Sequence, residues 1–93
     1  MSNSEQFKAI VDGMSELYTS KNHDYGDSFT QTVDEFGLVV PAIRLSDKLN
    51  RFKSLIKSPA QVTDEKLEDT LIDMASYAVM TVIWLRNNDI SGK

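Results

Sequence analysis

The sequence contains no cysteine and only one histidine, His23, among its 93 residues. The absence of cysteine excludes disulfide bonds, thiolate zinc ligands and cysteine nucleophiles, and one histidine is too few for a multi-histidine metal site within a chain. No apolar run approaches the ~20 residues that a membrane-spanning helix needs. Residues 1–5 lack the basic and apolar regions of a signal peptide, so we expect a cytoplasmic protein without a membrane partner.

Positive charge is also scarce. Ten Lys and Arg residues against fourteen Asp and Glu residues give a formal net charge of −4, and this argues against direct nucleic-acid binding, which depends on clustered cations. A small phosphorylated ligand needs only a local cationic patch. The chain is 41% apolar and 26% charged, which is typical of a globular protein, and its length predicts a single helical domain over residues 1–93.

Apolar spacing predicts an all-α protein with three main helices and one short helical turn. The first helix is expected over residues 3–20, and Ser2 with Glu5 has the form of a capping box at its start. The polar run over residues 19–28 favours a loop because of its Asn, Asp and Gly content. The short helical turn is predicted around residues 29–36.

The second main helix is predicted to follow an interruption at Gly37. Pro41 fits its first turn, and the helix is expected to run to about Lys57. Its expected buried residues are Ile43, Leu45 or Leu49, Phe52, Leu55 and Ile56. After a joint at residues 58–61, the third main helix is predicted over about residues 63–88.

Two apolar rows run along the third predicted helix. The first row consists of Leu67, Leu71, Met74, Ala75, Ala78, Val82 and Leu85, and the second of Ile72, Val79 and Ile83. Three helices of one chain cannot cover both rows, so the second row is expected to pack against another subunit. The predicted architecture is an antiparallel bundle of three main helices that assembles into a dimer or tetramer.

Three cations share one face of the second predicted helix. Arg44, Lys48 and Arg51 are spaced at i, i+4 and i+7, and Asp47 lies beside them. Arginine offers phosphate oxygens a planar fork of donors, and lysine adds a compact charge. A solvent-exposed face with local ion pairs explains the same spacing and, on spacing alone, is the favoured interpretation.

Acidic residues gather in the first half of the third predicted helix. They are Glu65, Glu68, Asp69 and Asp73, with Tyr77 one turn further on. Asp69 and Asp73 repel each other at i, i+4 unless a metal ion or the basic face of the second helix neutralises them. For Asp73 a structural salt bridge and a role in a binding site both remain open. Antiparallel packing would bring residues 44–51 level with residues 69–77.

The polar run after the first helix offers four further candidate ligand contacts, Lys21, His23, Asp24 and Tyr25. They combine a charge, a titratable donor and a ring able to stack on a base, next to a glycine that permits unusual backbone angles. A capped turn whose tyrosine seals the end of the bundle is the simpler interpretation of this loop alone. No catalytic residue is predicted, because Ser76 has no histidine nearby that would make it a nucleophile.

Four segments of the chain form a recognisable set: Lys21–Phe29, Glu35–Leu38, Arg44–Arg51 and Leu67–Tyr77. In this order they resemble a phage and prophage family called nucleotide modification associated domain 1. The resemblance covers about residues 5–86. It implies two different functions for the same polar residues.

The first implied function is that of a sponge for nucleotide immune signals. Small helical phage proteins of this kind sequester cyclic dinucleotides such as 3'3'-cGAMP, or cyclic ADP-ribose isomers, and so block CBASS or Thoeris defence in the host cytoplasm. Such binding requires no catalysis, metal or cofactor. It implies that Tyr25 or Tyr77 stacks on a base, that the cations of the second helix hold phosphates, and that Asp69 or Asp73 orients them or reads a base edge. A symmetric oligomer offers matched half-sites to a two-fold ligand.

The alternative follows from a likeness to all-α nucleoside triphosphate pyrophosphatases related to MazG, or to an accessory protein of nucleotide modification. Such enzymes pair Glu-x-x-Glu on one helix with Glu-x-x-Asp on the next to hold Mg²⁺. The third helix offers carboxylates, but the second carries Arg44, Asp47, Lys48 and Arg51 where metal ligands are expected. Because Mg²⁺ prefers carboxylate oxygens, the sequence favours phosphate binding over hydrolysis.

Overall fold

A computed structural model describes residues 1–25, 27–57 and 64–88, without the side chains of residues 23–25 and 64–65. Its helices are α1 (Asn3–Tyr25), α2 (Ser28–Phe36), α3 (Val39–Lys57) and α4 (Asp64–Asn87). These described ranges contain no strand, which confirms the predicted all-α class with three main helices and one short one. The predicted joint at residues 58–61 lies outside them. None of the helices described is long and apolar enough to cross a membrane.

Helix α1 begins where the sequence predicts. The hydroxyl oxygen of Ser2 accepts a hydrogen bond from the backbone N–H of Glu5 at 3.1 Å, and the Glu5 carboxylate accepts one from the N–H of Ser2 at 3.1 Å. The capping box is therefore confirmed. The backbone N–H of Ser2 donates to the charged carboxylate, and the Ser2 side chain adds a smaller contribution, so the pKa of Glu5 is lowered from its ordinary value of 4.5.

The end of α1 differs from the sequence prediction. The prediction of a loop over residues 19–28 is wrong for most of that range, because the helix continues to Tyr25. Polar residues cost at most about 0.7 kcal/mol each relative to alanine, and each residue added to an existing helix gains a hydrogen bond without a new nucleation step. Thr19 fits into the helix because its hydroxyl donates to the carbonyl of Ser15 at 3.0 Å.

A glycine separates α2 from α3. Gly37 has a φ of 84°, and its N–H donates to the carbonyl of Val33 at 2.7 Å. This left-handed conformation favours glycine over any residue with a Cβ atom. Pro41 follows in the first turn of α3, where its missing N–H would have no partner within the helix. The predicted interruption and the predicted place of the proline are both present.

The most buried apolar side chains lie where α2, the start of α3 and the end of α4 meet. Val33 is 1% exposed, and Val40 and Trp84 are each 8% exposed. Phe29 and Leu85 pack against this cluster. The indole N–H of Trp84 donates to a carboxylate oxygen of Asp34 at 2.8 Å, so the burial of the tryptophan leaves its donor satisfied.

Helices α3 and α4 pack in an antiparallel register. The ammonium nitrogen of Lys48 lies 3.2 Å from a carboxylate oxygen of Asp73. Lys48 precedes the end of α3 at Lys57 by nine residues, and Asp73 follows the start of α4 at Asp64 by nine residues. These equal distances from the connection are expected of two neighbouring helices that run in opposite directions.

Only part of the predicted buried face of α3 is covered within the chain. Besides Val40, which belongs to the buried cluster, the covered positions are Pro41, Leu45, Lys48, Phe52 and Leu55, whose spacing of 4, 3, 4 and 3 follows one side of a helix. The expected burial of Ile43 and Ile56 is wrong, since they are 52% and 54% exposed, and Leu49 is 42% exposed. Lys48 occupies an inward position that apolar periodicity alone could not assign to a cation.

The apolar rows of α4 are also oriented differently from the prediction. Leu71 and Val82 of the first row are 47% and 44% exposed, whereas Thr70 is buried and Tyr77 half-buried. Thr70 tolerates burial because its hydroxyl donates to the carbonyl of Lys66 at 2.9 Å. In the second row Val79 is 52% exposed. Much of both rows is therefore uncovered in the single chain.

Candidate functional site

A cleft of about 410 Å³ lies between the second half of α1, the start of α2 and the middle of α4. Its volume falls within the roughly 300–1,000 Å³ that is usual for small-molecule sites. The charged and polar residues that line the cleft include Lys21, Asn22, Asp27, Ser28, Asp73 and Ser76. The apolar residues that line it include Met14, Leu17, Met80 and Ile83. The mixture suits a ligand with an apolar ring surface and several polar groups.

Three aromatic side chains line the cleft: Tyr18 from α1, Phe29 from α2 and Tyr77 from α4. The rings of Phe29 and Tyr77 have centroids 5.6 Å apart at an interplanar angle of 46°, a separation typical of interacting aromatic pairs. Phe29 also packs against the buried cluster around Trp84. One wall of the cleft is thereby attached to the best-packed part of the molecule.

The ion pair between Lys48 and Asp73 stands at the edge of the cleft. Asp73 lines it, and the Lys48 ammonium lies 3.2 Å from the Asp73 carboxylate. Their side chains are 29% and 47% exposed, so solvent screens the pair and its net contribution to stability is at most about 1 kcal/mol. An incoming anion can therefore compete with Asp73 for the lysine at small energetic cost.

The structure brings together four of the residues that the sequence singles out. Lys21, Asp73 and Tyr77 line the cleft, and Lys48 joins them through Asp73. Three more predicted site residues follow Lys21 in the sequence: His23, Asp24 and Tyr25. Their side chains lie outside the described part of the structure. Their backbone forms the last turn of α1.

Four other predicted site residues do not line the cleft: Arg44, Asp47, Arg51 and Asp69. All four are exposed. At 100° per residue, Arg44 and Arg51 lie about 60–80° from the centre of the covered face of α3, whereas Lys48 lies near that centre. The three cations share one broad face of α3, and Lys48 is connected to the cleft through its ion pair with Asp73.

Sequence reasoning missed Tyr18 and Phe29 as site residues. Tyr18 lies one helical turn before Lys21 and Asn22, so it shares their face of α1. The sequence conceals that signal, because the residues after Ser20 have the composition of a loop. Phe29 occurs in the motif that carried the family resemblance, but no periodicity in α2 distinguishes a ring that lines a cleft from one that fills a core.

Among the side chains that the structure describes, the carboxylates are not gathered in the way that the Mg²⁺ site of the pyrophosphatase alternative requires. Within the described residues, no group of three or more acidic or histidine side chains is placed to hold a metal ion. Asp73 already pairs with Lys48, and Glu68 and Asp69 are exposed outside the cleft. These side chains therefore do not provide the carboxylate set that Mg²⁺ prefers.

A family described as nucleotide modification associated domain 1 matches residues 21–85, which is 65 of the 93 residues. The match begins at Lys21, so most of α1 falls outside it, whereas the resemblance in the sequence was expected to start near residue 5. No curated protein and no solved structure gives a significant match. The matched range includes every candidate site residue from Lys21 to Tyr77. The chain therefore belongs to the nucleotide modification associated domain 1 family.

Proposed function

We propose that the cleft binds a nucleotide without converting it, and that the ligand is a cyclic nucleotide signal of host defence which the protein sequesters. The observation that carries this proposal is the convergence of an aromatic pair and an exchangeable ion pair on one cleft. The family description, which associates these proteins with nucleotide modification, supports a nucleotide as the ligand class.

The aromatic side chains supply the surface for a base. A nucleobase stacks favourably on an aromatic side chain, with a contribution of about 1–3 kcal/mol per base. The Phe29–Tyr77 pair meets at 46°, so one ring stacks on a base while the other contacts its edge. Tyr18 lines the same cleft from α1. Each of the two bases of a cyclic dinucleotide can therefore stack on a different aromatic side chain of the cleft.

The charge of the cleft favours a ligand with few negative charges. Lys21 contributes one positive charge, and Asp27 and Asp73 contribute two negative charges, one of which Lys48 balances. These four groups together are neutral. A cyclic dinucleotide carries one negative charge on each phosphodiester, whereas a nucleoside triphosphate concentrates several in one chain and needs more cations, or Mg²⁺, to offset them. The cyclic ligand is the better electrostatic match.

The cations and carboxylates then have separate roles. Lys21 and Lys48 donate to phosphate oxygens, as compact charges do. Asp27 accepts hydrogen bonds only, and the amino groups on base edges donate them. When a phosphate takes Lys48 from Asp73, this carboxylate also becomes free to accept from a base. Binding therefore exchanges one internal ion pair for two contacts with the ligand.

Calorimetry tests the proposal. Purified protein is titrated with cyclic dinucleotides, cyclic trinucleotides and cyclic ADP-ribose isomers, with nucleoside triphosphates plus Mg²⁺ as comparators. The complex is then heated and the released small molecules are separated by chromatography. We expect binding of a cyclic nucleotide and its intact release. Release of a monophosphate with pyrophosphate would establish the pyrophosphatase instead, and the absence of binding to every compound would refute a nucleotide site.

A pair of variants locates the binding in the cleft. Lys21→Ala removes a cleft cation and is expected to weaken binding by about tenfold, the effect of one lost charge-assisted hydrogen bond. Arg86→Ala removes an exposed cation of α4 that does not line the cleft, and it should leave binding unchanged. Equal losses in both variants would indicate a general attraction of anions rather than this site.

A further inference from the structure

The N-terminal half of α1 carries an apolar stripe that no other part of the described chain covers. Phe7 is 72% exposed, Ile10 54% and Val11 43%. The first α1 residue that lines the cleft is Met14, so the stripe begins almost two turns before the helix reaches its own bundle. A single helix of this length is marginal in water unless an apolar face is packed.

A second uncovered stripe runs along α4. Leu71, Ala75, Ala78, Val79 and Val82 fall on one side of the helix at 100° per residue, and all five are exposed. The opposite side carries Thr70, Tyr77 and Trp84, which pack within the chain. One chain thus holds two apolar helical stripes, each without a partner in the described structure.

The accessible surface measures how much is uncovered. The chain exposes 7132 Å², whereas a compact monomer of its 10.5 kDa mass exposes about 5,400 Å². The excess is about 1,700 Å², roughly twice what each partner buries in an interface of standard size. The radius of gyration, 15.0 Å, likewise exceeds the roughly 12 Å expected for a compact domain of this length.

We infer that a second copy of this chain packs on the stripes of α1 and α4, so that the cleft is closed between two protomers. Under two-fold symmetry α1 of each protomer covers α4 of the other, which satisfies both stripes at once. An excess of this size is typical of obligate assemblies between identical chains. The stripe of α4 lies on the side opposite Tyr77, so it is the partner helix on α1, whose stripe continues to Met14 in the wall of the cleft, that completes the site.

The residues at the mouth of the cleft connect the interface to the site. Leu17, Tyr18 and Ile83 line the cleft and are 47%, 38% and 42% exposed. A partner that packs on these apolar side chains also shields the cleft from water, which strengthens every polar contact inside it. The closure of the cleft is independent of any ligand. Only its consequence for affinity rests on the proposed nucleotide site.

Sedimentation of the unmodified protein tests the assembly. We expect a mass of at least two chains at micromolar concentration and a melting temperature that rises with protein concentration. A mass of 10.5 kDa together with a melting temperature independent of concentration would overturn the inference. Neither measurement involves a nucleotide, so a failure of the assembly is distinguished from a failure of the proposed function.

Two matched variants locate the interface. Ile10→Asp places a charge in the stripe of α1, and Ala9→Asp places the same charge on an exposed position outside it. We expect the first to reduce the mass to one chain, or to unfold the protein at concentrations where the unmodified chain is folded, and the second to preserve the assembly. Retention of the full mass by Ile10→Asp with unchanged helicity would contradict the inference.

Thiol labelling tests the closure of the cleft, because the natural sequence has no cysteine. Leu17→Cys introduces a thiol at the mouth, and Ser20→Cys introduces one at an exposed α1 position that does not line the cleft. The mouth thiol should react several-fold more slowly than the control, and dilution should abolish the difference. Equal rates at all concentrations would show that the partner leaves the cleft open, even if sedimentation finds a dimer.

Discussion

The buried cluster around Trp84 and the first half of α1 differ in how their apolar residues are used. Around Trp84, helices from three parts of the sequence supply a buried cluster and a satisfied indole donor. At the other extreme, Phe7 and Ile10 of α1 remain more than half exposed. The family match includes the first region and excludes residues 1–20. The comparison separates the part of the sequence that packs within one chain from the part that we infer packs against a second copy.

The largest effect is expected when the cluster loses its tryptophan. Trp84→Ala removes a side chain that is 8% exposed and leaves Asp34 without its indole donor. Large-to-small substitutions of this kind cost about 3–5 kcal/mol. Urea unfolding, followed by circular dichroism, measures the loss. A cost below about 1 kcal/mol would remove the contrast between the cluster and α1.

A smaller effect is expected from Val33→Ala. Val33 is 1% exposed, and the loss of its two methyl groups with the resulting cavity costs about 2 kcal/mol. Val39→Ala is the matched control, because Val39 is 55% exposed and starts α3. We expect the control to change the free energy of unfolding by less than about 0.5 kcal/mol. Similar values for the two valines in urea unfolding would show that the cluster is not the stabilising centre.

The hydrogen bond from Trp84 to Asp34 is worth less than the packing around it. Asp34→Ala removes the acceptor at 2.8 Å and is expected to cost about 1 kcal/mol. Glu35→Ala removes the neighbouring exposed acid and controls for the change in charge. We expect the control to be near neutral in the same urea titration. If both substitutions cost the same, the charge of α2 rather than the hydrogen bond would be responsible.

The smallest effect is expected at the start of α1. Ser2→Ala removes one of the two capping bonds, so the amide of Glu5 should exchange its hydrogen faster while the rest of the protein keeps its protection. Ser4→Ala, the same substitution two residues further along, in the first turn of α1, is the control. Slower or unchanged exchange at Glu5 would contradict the role of the cap.

The same cap depends on pH. The pKa of Glu5 is lowered from 4.5 in the folded chain. The charged carboxylate therefore stabilises the start of α1 fully at pH values above 4.5, and this stabilisation is lost as the pH falls through the lower pKa of the folded state. Hydrogen exchange at pH values on both sides of 4.5 measures this dependence. The Ser2→Ala variant should show less of this dependence, since its carboxylate keeps the backbone N–H of residue 2 but loses the contribution of the Ser2 side chain to the lowered pKa.

The end of α2 and the start of α3 could be predicted from the sequence because local chemistry determines them. Gly37 ends α2 through its positive φ, and Pro41 lies in the first turn of α3. The last residue of α1 could not be predicted in this way. The polar residues after Thr19 favour turns in isolation, but an established helix continues through them at small cost.

The periodicity of apolar residues predicts that a helix has an apolar stripe, but it does not predict which element packs against that stripe. The pattern of α4 indicated two apolar rows, and the structure turns Leu71 and Val82 outward while Thr70 faces inward. In the candidate site, the ion pair between Lys48 and Asp73 could be predicted, because an antiparallel register brings these two positions level with each other. The exposure of Arg44 and Arg51 was not, because a face that spans three cations is wider than the contact between two helices.

Phe29 gives the molecule an internal optical reporter. Its ring lines the cleft and packs against the cluster that contains Trp84, the only tryptophan of the chain. A base that stacks against Phe29 shifts a ring in direct contact with the surroundings of the indole. Occupancy of the cleft should therefore change the emission of the natural protein, and a titration can be followed without attaching a dye.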